Sequence, residues 1–225
     1  MTTYPTTREG TSDLWEALYT QRAIRYWEER EVPDELIWRV IEAATRAPSG
    51  LNLQPWRFVV VTDPAQRAKI TNASREQALA QGNLEERLER VRASDDRSHR
   101  LMMTGATTLF QTMESAPVFI IPCVIGITSP TTDPDSLLAG SSIYGAIQNL
   151  QLAARALGLG TVLTTRQAGM DAMLRRELKI PDEARMAALI PMGYPAANFG
   201  PTRRRPVEEV TAWNTWDTVR TRPQA

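Results

Sequence analysis

Ile143, Ala146, Ile147, Leu150, Ala153, Ala154 and Leu157 recur at the spacing of one helix face, and they predict a helix over residues 135–157 with a wide apolar stripe. Such a stripe must be buried against other elements of the fold. Gly140, Ser141, Ser142, Gly145 and Ala146 are small enough to let a second helix approach closely. Gly158 stands where a helix C-cap belongs, because glycine reaches the left-handed backbone without a steric cost.

The remaining elements are shorter. Residues 12–18 read as a helix start capped by Ser12 or Asp13. A second helix opens at Val32, Pro33 and Asp34, carries Leu36, Ile37, Val40, Ile41 and Ala44 on one face, and stops at Ala47 and Pro48. Residues 56–61 suit a strand buried on both faces. Residues 65–81 look helical, and 84–100 form a highly charged helix with few apolar positions, either a solvated face or a mobile cover over a pocket. A further helix is expected over 107–115. Residues 118–127 predict a second strand, in which Pro122 marks a bulge or an edge position. Strands at 159–163 and 187–192 enclose a short helix at 170–178. From Gly193 the chain becomes proline-rich, basic and irregular, and a tail of this kind often packs on a partner subunit. These elements make an α+β fold, a small mixed sheet flanked by helices.

Charge and composition exclude several classes. Lys+Arg and Asp+Glu balance at 26 each, which argues against a nucleic-acid binder or a polybasic membrane anchor. Cys123, the one cysteine, lies in an apolar run and reads as a buried thiol; with a single distant His99 it makes a zinc site improbable, and no metal is expected. No apolar run reaches the ~20 residues that span a bilayer. Residues 1–11 are polar, unlike a signal peptide, so a soluble, reducing, cytoplasmic setting is expected.

The chemistry-bearing motifs of many enzymes are missing: there is no dinucleotide-type glycine loop, phosphate loop or serine elbow. A reactive centre in this chain therefore points to a borrowed cofactor. Three segments look like parts of one anion-and-ring site. Arg22 and Arg25 can clamp a phosphate through paired hydrogen bonds. The loop from Ala47 to Trp56 places Ser49, Asn52 and Gln54, which offer both donors and acceptors, beside the rigid Pro48 and the flexible Gly50. The third runs from Gly193, Tyr194 and Pro195 to the basic run Arg203, Arg204 and Arg205.

In this order and spacing the segments resemble the nitroreductase family of flavoproteins. The resemblance covers nearly the whole chain, including Gln148, Asn149 and Leu150 through Gly160, and Pro191, Met192 and Gly193; the loop at 47–58 is its most specific part. It implies a single domain over 1–225, with a variable active-site cover at 71–100 and an extended tail at 200–225. It also implies a homodimer holding two FMN molecules at the subunit interface, with NAD(P)H as co-substrate. Arg22, Ala23 and Arg25 would lie against the ribityl phosphate and the pyrimidine edge of the flavin. Pro48, Ser49, Asn52 and Gln54 would line the ring and ribityl chain from the other subunit. Leu163, Thr164 and Thr165 would approach the flavin N5 and O4, and Arg204, with Arg203 able to share the role, would close on the phosphate. The family usually has Arg where this chain has Gln21 and often Ser where it has Ala23, so one phosphate contact and one hydroxyl are lost.

The resemblance further implies a ping-pong reaction in which NAD(P)H delivers hydride to the flavin and a small electron-poor acceptor, such as a nitroaromatic or a quinone, then takes its place. Arg25 is the candidate cation beside N1 and O2, and a backbone N–H at Thr164 or Thr165 the candidate N5 contact. Related iodotyrosine deiodinases grip an amino-acid zwitterion with Glu, Tyr and Lys in the cover; residues 71–100 hold no Tyr or Trp and no such trio. Alternatives are a non-catalytic flavin-binding or storage protein, and a relative of the flavin-fragmenting enzyme of cobalamin synthesis.

Overall fold

The computed structural model of the chain describes residues 4–80, 82, 84–126 and 140–223. The first helix, α1 (Leu14–Thr20), starts at Asp13, whose carboxylate accepts from the Glu16 N–H at 2.6 Å. Helix α2 (Asp34–Ala44) follows Pro33, with Asp34 and Glu35 in its first turn, where the helix dipole favours negative charge. It buries Ile37, Val40 and Ala44 and ends three residues before Ala47. Helix α3 (Pro64–Ala80) places its proline at the first helical position, where the missing N–H costs nothing.

The charged segment at 84–100, expected as one helix, divides into α4 (Leu84–Arg92) and the start of α5 (Arg97–Thr112). The cause is Asp96, whose side chain accepts from the Ser98 and His99 N–H groups at 2.7 and 3.2 Å and so caps a new helix. The helix expected at 107–115 is the last part of α5 plus a 3-10 turn. Helix α6 (Ser141–Ala156) carries the predicted apolar stripe, with Ile143, Ala146, Ile147, Leu150 and Ala154 buried. Residues 135–139 of that expected helix lie outside the described residues. Gly158 adopts φ +73°, and Leu159 N–H reaches back to Ala154 O at 2.7 Å, which closes the helix as expected. Helix α2 packs on α6, and just past its end Ala47 faces Gly145, where a Cβ would rest in ordinary contact at 3.7 Å.

Five strands form one sheet: β1 (Trp56–Val61), β2 (Val118–Val124), β3 (Gly160–Thr161), β4 (Arg185–Met186) and β5 (Ile190–Gly193). Their order is β1-β2-β5-β3, with β4 also pairing β2. The fold is α+β, yet every described ladder is antiparallel, where a mixed sheet is expected, because each strand's spatial neighbour runs the opposite way. Strand β1 is an edge strand with Arg57 and Val60 exposed, not one buried on both faces: it pairs only with β2. Strand β2 is the central, fully buried one. Pro122 sits in it away from any edge, because on one side the ladder is interrupted. Between the pairs Ile120–Ile190 and Cys123–Met186 the partner chain has one extra residue, and the Pro122 carbonyl accepts from Ala187 N–H at 2.8 Å.

Successive residues of β2 point to opposite faces and found two cores. Phe119, Ile121 and Cys123 pack with Ile24, Trp27, Met113, Leu174 and Phe199. Val118, Ile120 and Val124 pack with Val40, Ile143, Ile147, Leu150 and Ile190. Burial pushes the Cys123 thiol up to about 11, so it keeps its proton at neutral pH, as a structural thiol does. The tail is irregular apart from a 3-10 turn at Val207–Val210, and it runs over the surface, with Thr202 N–H bonded to Tyr19 O at 3.0 Å. No helix among the described residues is long and apolar enough to cross a membrane.

Candidate functional site

The site begins with the stretch after α1. Residues 21–26, which carry Arg22 and Arg25, are non-helical. The stretch is pinned to β3 by Ile24 N–H to Thr161 O at 2.9 Å and by Trp27 Nε1 to Gly160 O at 2.9 Å. Ile24 is buried against Gly160, where a Cβ would come within 2.7 Å of its Cγ2, so only glycine lets the strand approach this closely. With Ile24 anchored inward, Arg22, Ala23 and Arg25 line a cavity of about 530 Å³ together with Arg92, Arg100 and Leu101.

Arg25 is half-buried. Burial first, and the neighbouring Arg22 second, push its guanidinium below the ordinary value. Its Nε is buried and has no hydrogen-bond partner. Helix α5 carries Gly105 beneath it: a Cβ there would lie 3.1 Å from Arg25 Cδ. Arg25 also borders a second cavity of about 420 Å³, lined by Gln77, Leu163, Thr164, Thr165 and Arg166 among others. Thr164 is locked in place by reciprocal backbone bonds with Leu189 at 3.1 Å and by Oγ1 to Leu189 O at 2.9 Å. Arg166 is held below its ordinary value by burial and then by Arg87. Gln77 Oε1 is another buried atom without a partner.

The expected site residues therefore fall into three groups. Arg22, Ala23 and Arg25 share the first cavity, and Arg25, Leu163, Thr164 and Thr165 share the second. Pro48, Ser49, Asn52 and Gln54 line neither; they form a projecting loop. There Ser49 Oγ accepts from Gln54 N–H at 3.0 Å, Gln54 Nε2 donates to Asn52 Oδ1 at 3.3 Å, and Gly50 N–H donates to Ser142 Oγ at 3.2 Å. Leu51, Asn52 and Gln54 all take positive φ (50°, 54° and 49°), a local strain of roughly 1–3 kcal/mol each. The loop presents Leu51 at 93% and Leu53 at 65% exposure. Arg204 is exposed and donates to Arg203 O, while Arg203 reaches Ser98 Oγ at 2.9 Å. The 71–100 segment supplies Gln77, Arg92 and Arg100 to the cavity walls. None of these three, nor Arg166, stood out in the sequence: a polar residue in a polar helix has no periodic signal that separates a lining position from a solvated one.

A model of the nitroreductase family matches residues 18–194. The chain belongs to the nitroreductase family. Among its relatives, this nitroreductase-family chain is 32% identical over 211 residues to an NADH dehydrogenase of Thermus thermophilus, covering 89% of this chain and 96% of that one. It is 29% identical over 207 residues to iodotyrosine deiodinase 1 of Mus musculus, covering 90% and 70%. Its fold matches the crystal structure of a nitroreductase with bound FMN from Desulfitobacterium hafniense, with a TM-score of 0.59 at 20% identity, covering 85% and 93%.

Proposed function

We propose that this nitroreductase-family chain is an FMN-dependent cytoplasmic oxidoreductase that takes hydride from NAD(P)H and passes electrons to a small electron-poor acceptor, such as a nitroaromatic or a quinone, by a ping-pong mechanism. The observation that carries the reading is Arg25: a half-buried guanidinium with an unpartnered Nε, on the wall between two cavities. A buried donor of this kind calls for an acceptor. The phosphate and carbonyl-bearing rim of FMN are acceptors of the right chemistry, so the residues fit the cofactor, and the Desulfitobacterium hafniense nitroreductase of similar fold carries bound FMN.

In this reading Arg22 and Ala23 hold the phosphate side and Arg25 the pyrimidine edge. Leu163, Thr164 and Thr165 line the opposite rim. Pro48, Ser49, Asn52 and Gln54 come from a second copy of the chain, whose exposed Leu51 and Leu53 gain cover in a homodimer, and Arg204 closes from the tail, which packs across the partner. When bound, FMN supplies a two-electron carrier that accepts hydride and releases electrons to a second molecule. Arg25 places a fixed positive charge where negative charge develops. The Thr164 N–H is committed to Leu189, which leaves Thr165 as the backbone donor toward the cofactor rim. The 71–100 segment acts as the cover, within a single domain.

The likeness to mouse iodotyrosine deiodinase favours one second reading, reductive dehalogenation, but the 71–100 segment offers no Tyr to a phenolic substrate. One experiment separates the possibilities. The purified protein is expected to be yellow, to lose its ~450 nm absorbance when mixed with NADPH or NADH without oxygen, and to regain it on adding a nitroaromatic or quinone. Colourless protein after FMN has been supplied rules the reading out. Colour that persists with both hydride donors assigns the chain to non-catalytic flavin binding.

A further inference from the structure

The two cavities that meet at Arg25 share a charge pattern unlike the rest of the molecule. The whole chain is neutral, with 26 cationic and 26 anionic side chains. The cavity linings hold Arg22, Arg25, Arg92, Arg100 and Arg166, and no Asp or Glu. None of these arginines makes an ion pair among the described residues. By contrast, the larger cavity on the other side of Tyr26 balances Arg30 and Arg67 with Glu29, Glu31 and Glu114.

The cofactor reading above uses Arg22, Arg25 and Arg204. Arg92 and Arg100 are surplus to it. They stand on α4 and α5, beside Leu101, whose side chain is largely exposed where it lines the same cavity. Arg100 spends one N–H on Ser94 O. Arg92 has no hydrogen bond or ion pair among the described residues. An apolar surface next to guanidinium groups with N–H donors to spare suits a flat ring that carries an anion.

We propose that Arg92 and Arg100 bind an anionic group, a carboxylate or a phosphate, on the molecule that exchanges electrons at this site, and so make the chain selective for acidic substrates, of which electron-poor aromatic carboxylates are the expected acceptors. This rests on the oxidoreductase reading for its turnover arm only. The cavity lining holds no carboxylate, so with Arg22 and Arg25 engaged by the cofactor the charges of Arg92 and Arg100 are still left for an incoming anion. The same chemistry has a second source, the 2′-phosphate that distinguishes NADPH from NADH.

The test compares the FMN-loaded wild type with Arg92→Gln and Arg100→Gln. The first arm reads the ratio of kcat/KM for 4-nitrobenzoate to that for nitrobenzene, which cancels any general loss of activity. The second reads the ratio of kcat/KM for NADPH to that for NADH. The third titrates 4-nitrobenzoate calorimetrically into the protein with no hydride donor present. The expected result is about a tenfold fall in the acceptor ratio for each variant, with a matching rise in Kd. A fall confined to the NADPH ratio supports the anion site and assigns its ligand to the hydride donor. Unchanged ratios in both turnover arms, with an unchanged Kd, overturn the proposal. Should the wild type fail to turn over at all, the oxidoreductase reading fails, and the calorimetric comparison still decides this one.

Discussion

Replacing Arg25 with alanine is expected to slow the NADPH-driven loss of ~450 nm absorbance about a hundredfold, measured by stopped flow on protein fully loaded with FMN. The argument starts from the sequence position. Ile24 is locked against Gly160, so its neighbour is carried to the wall between the two cavities whatever its side chain. Among the described residues, only at this position does a cation with a buried, unpartnered Nε border both spaces. Alanine removes the charge and the donor together, and it leaves the backbone bond from Ile24 to Thr161 in place. Arg25→Lys keeps the charge and loses the forked donor geometry, so it is expected to recover part of the rate. An alanine variant that reduces at the wild-type rate assigns the residue to packing against Gly105 and removes it from the chemistry.

Arg155→Met is expected to lower stability by about 3–5 kcal/mol, read as a fall in melting temperature of roughly 10 °C. Arg155 lies on the buried side of α6 with no exposed side-chain surface, an unusual place for a charge. Each of its three guanidinium nitrogens has a partner. It bonds Glu16 at 2.8 Å, Thr20 Oγ1 at 2.9 Å and Glu9 O at 2.7 Å, and it stacks over the Phe199 ring at 4.3 Å. One side chain thereby ties the N-terminal segment, α1, α6 and the segment leading to the tail into one body. Methionine fills much of the volume, removes the donor to the Glu9 carbonyl and leaves the Glu16 carboxylate with the Thr11 hydroxyl in place of a cation. The double variant Arg155→Met with Glu16→Gln is expected to be more stable than the single one, because the largely buried Glu16 charge is then no longer left without its cation. Equal stability of the two would show that packing, not charge, governs the loss.

Where local rules decide the outcome, the sequence was readable. The α6 stripe, the Gly158 cap, the Asp13 cap and the buried Cys123 each depend on a few neighbouring residues, and each appears in the structure. The errors lie where the outcome depends on distant partners. Trp56–Val61 is apolar enough for a central strand, but pairing on one side alone leaves it at the edge. Of the two positions Pro122 allows, the edge is wrong and the bulge is right: it sits in the central strand beside an extra residue between β4 and β5. Asp96 was a cap hidden among other charges in residues 84–100. The site was legible in part for the same reason. Arg22, Ala23 and Arg25 are adjacent in sequence and stay together, and Leu163, Thr164 and Thr165 join them because β3 carries both segments. Gln77, Arg92 and Arg100 reach the cavities only through the packing of α3, α4 and α5 over them, and Arg166 follows Thr165 on the turn that opens there.

The loop at Pro48–Gln54 lines neither cavity of its own chain, so the proposed site is whole only if a second copy supplies that loop. Co-expression of an Arg25→Ala chain with an Asn52→Ala, Gln54→Ala chain, each carrying its own tag, allows the mixed dimer to be isolated. Sharing between subunits predicts that the mixed dimer, with one site intact and the other doubly impaired, recovers roughly half the wild-type NADPH-driven reduction rate, well above either parent. A mixed dimer no more active than the mean of its two parents would mean that each chain builds its site alone, and it would contradict the account.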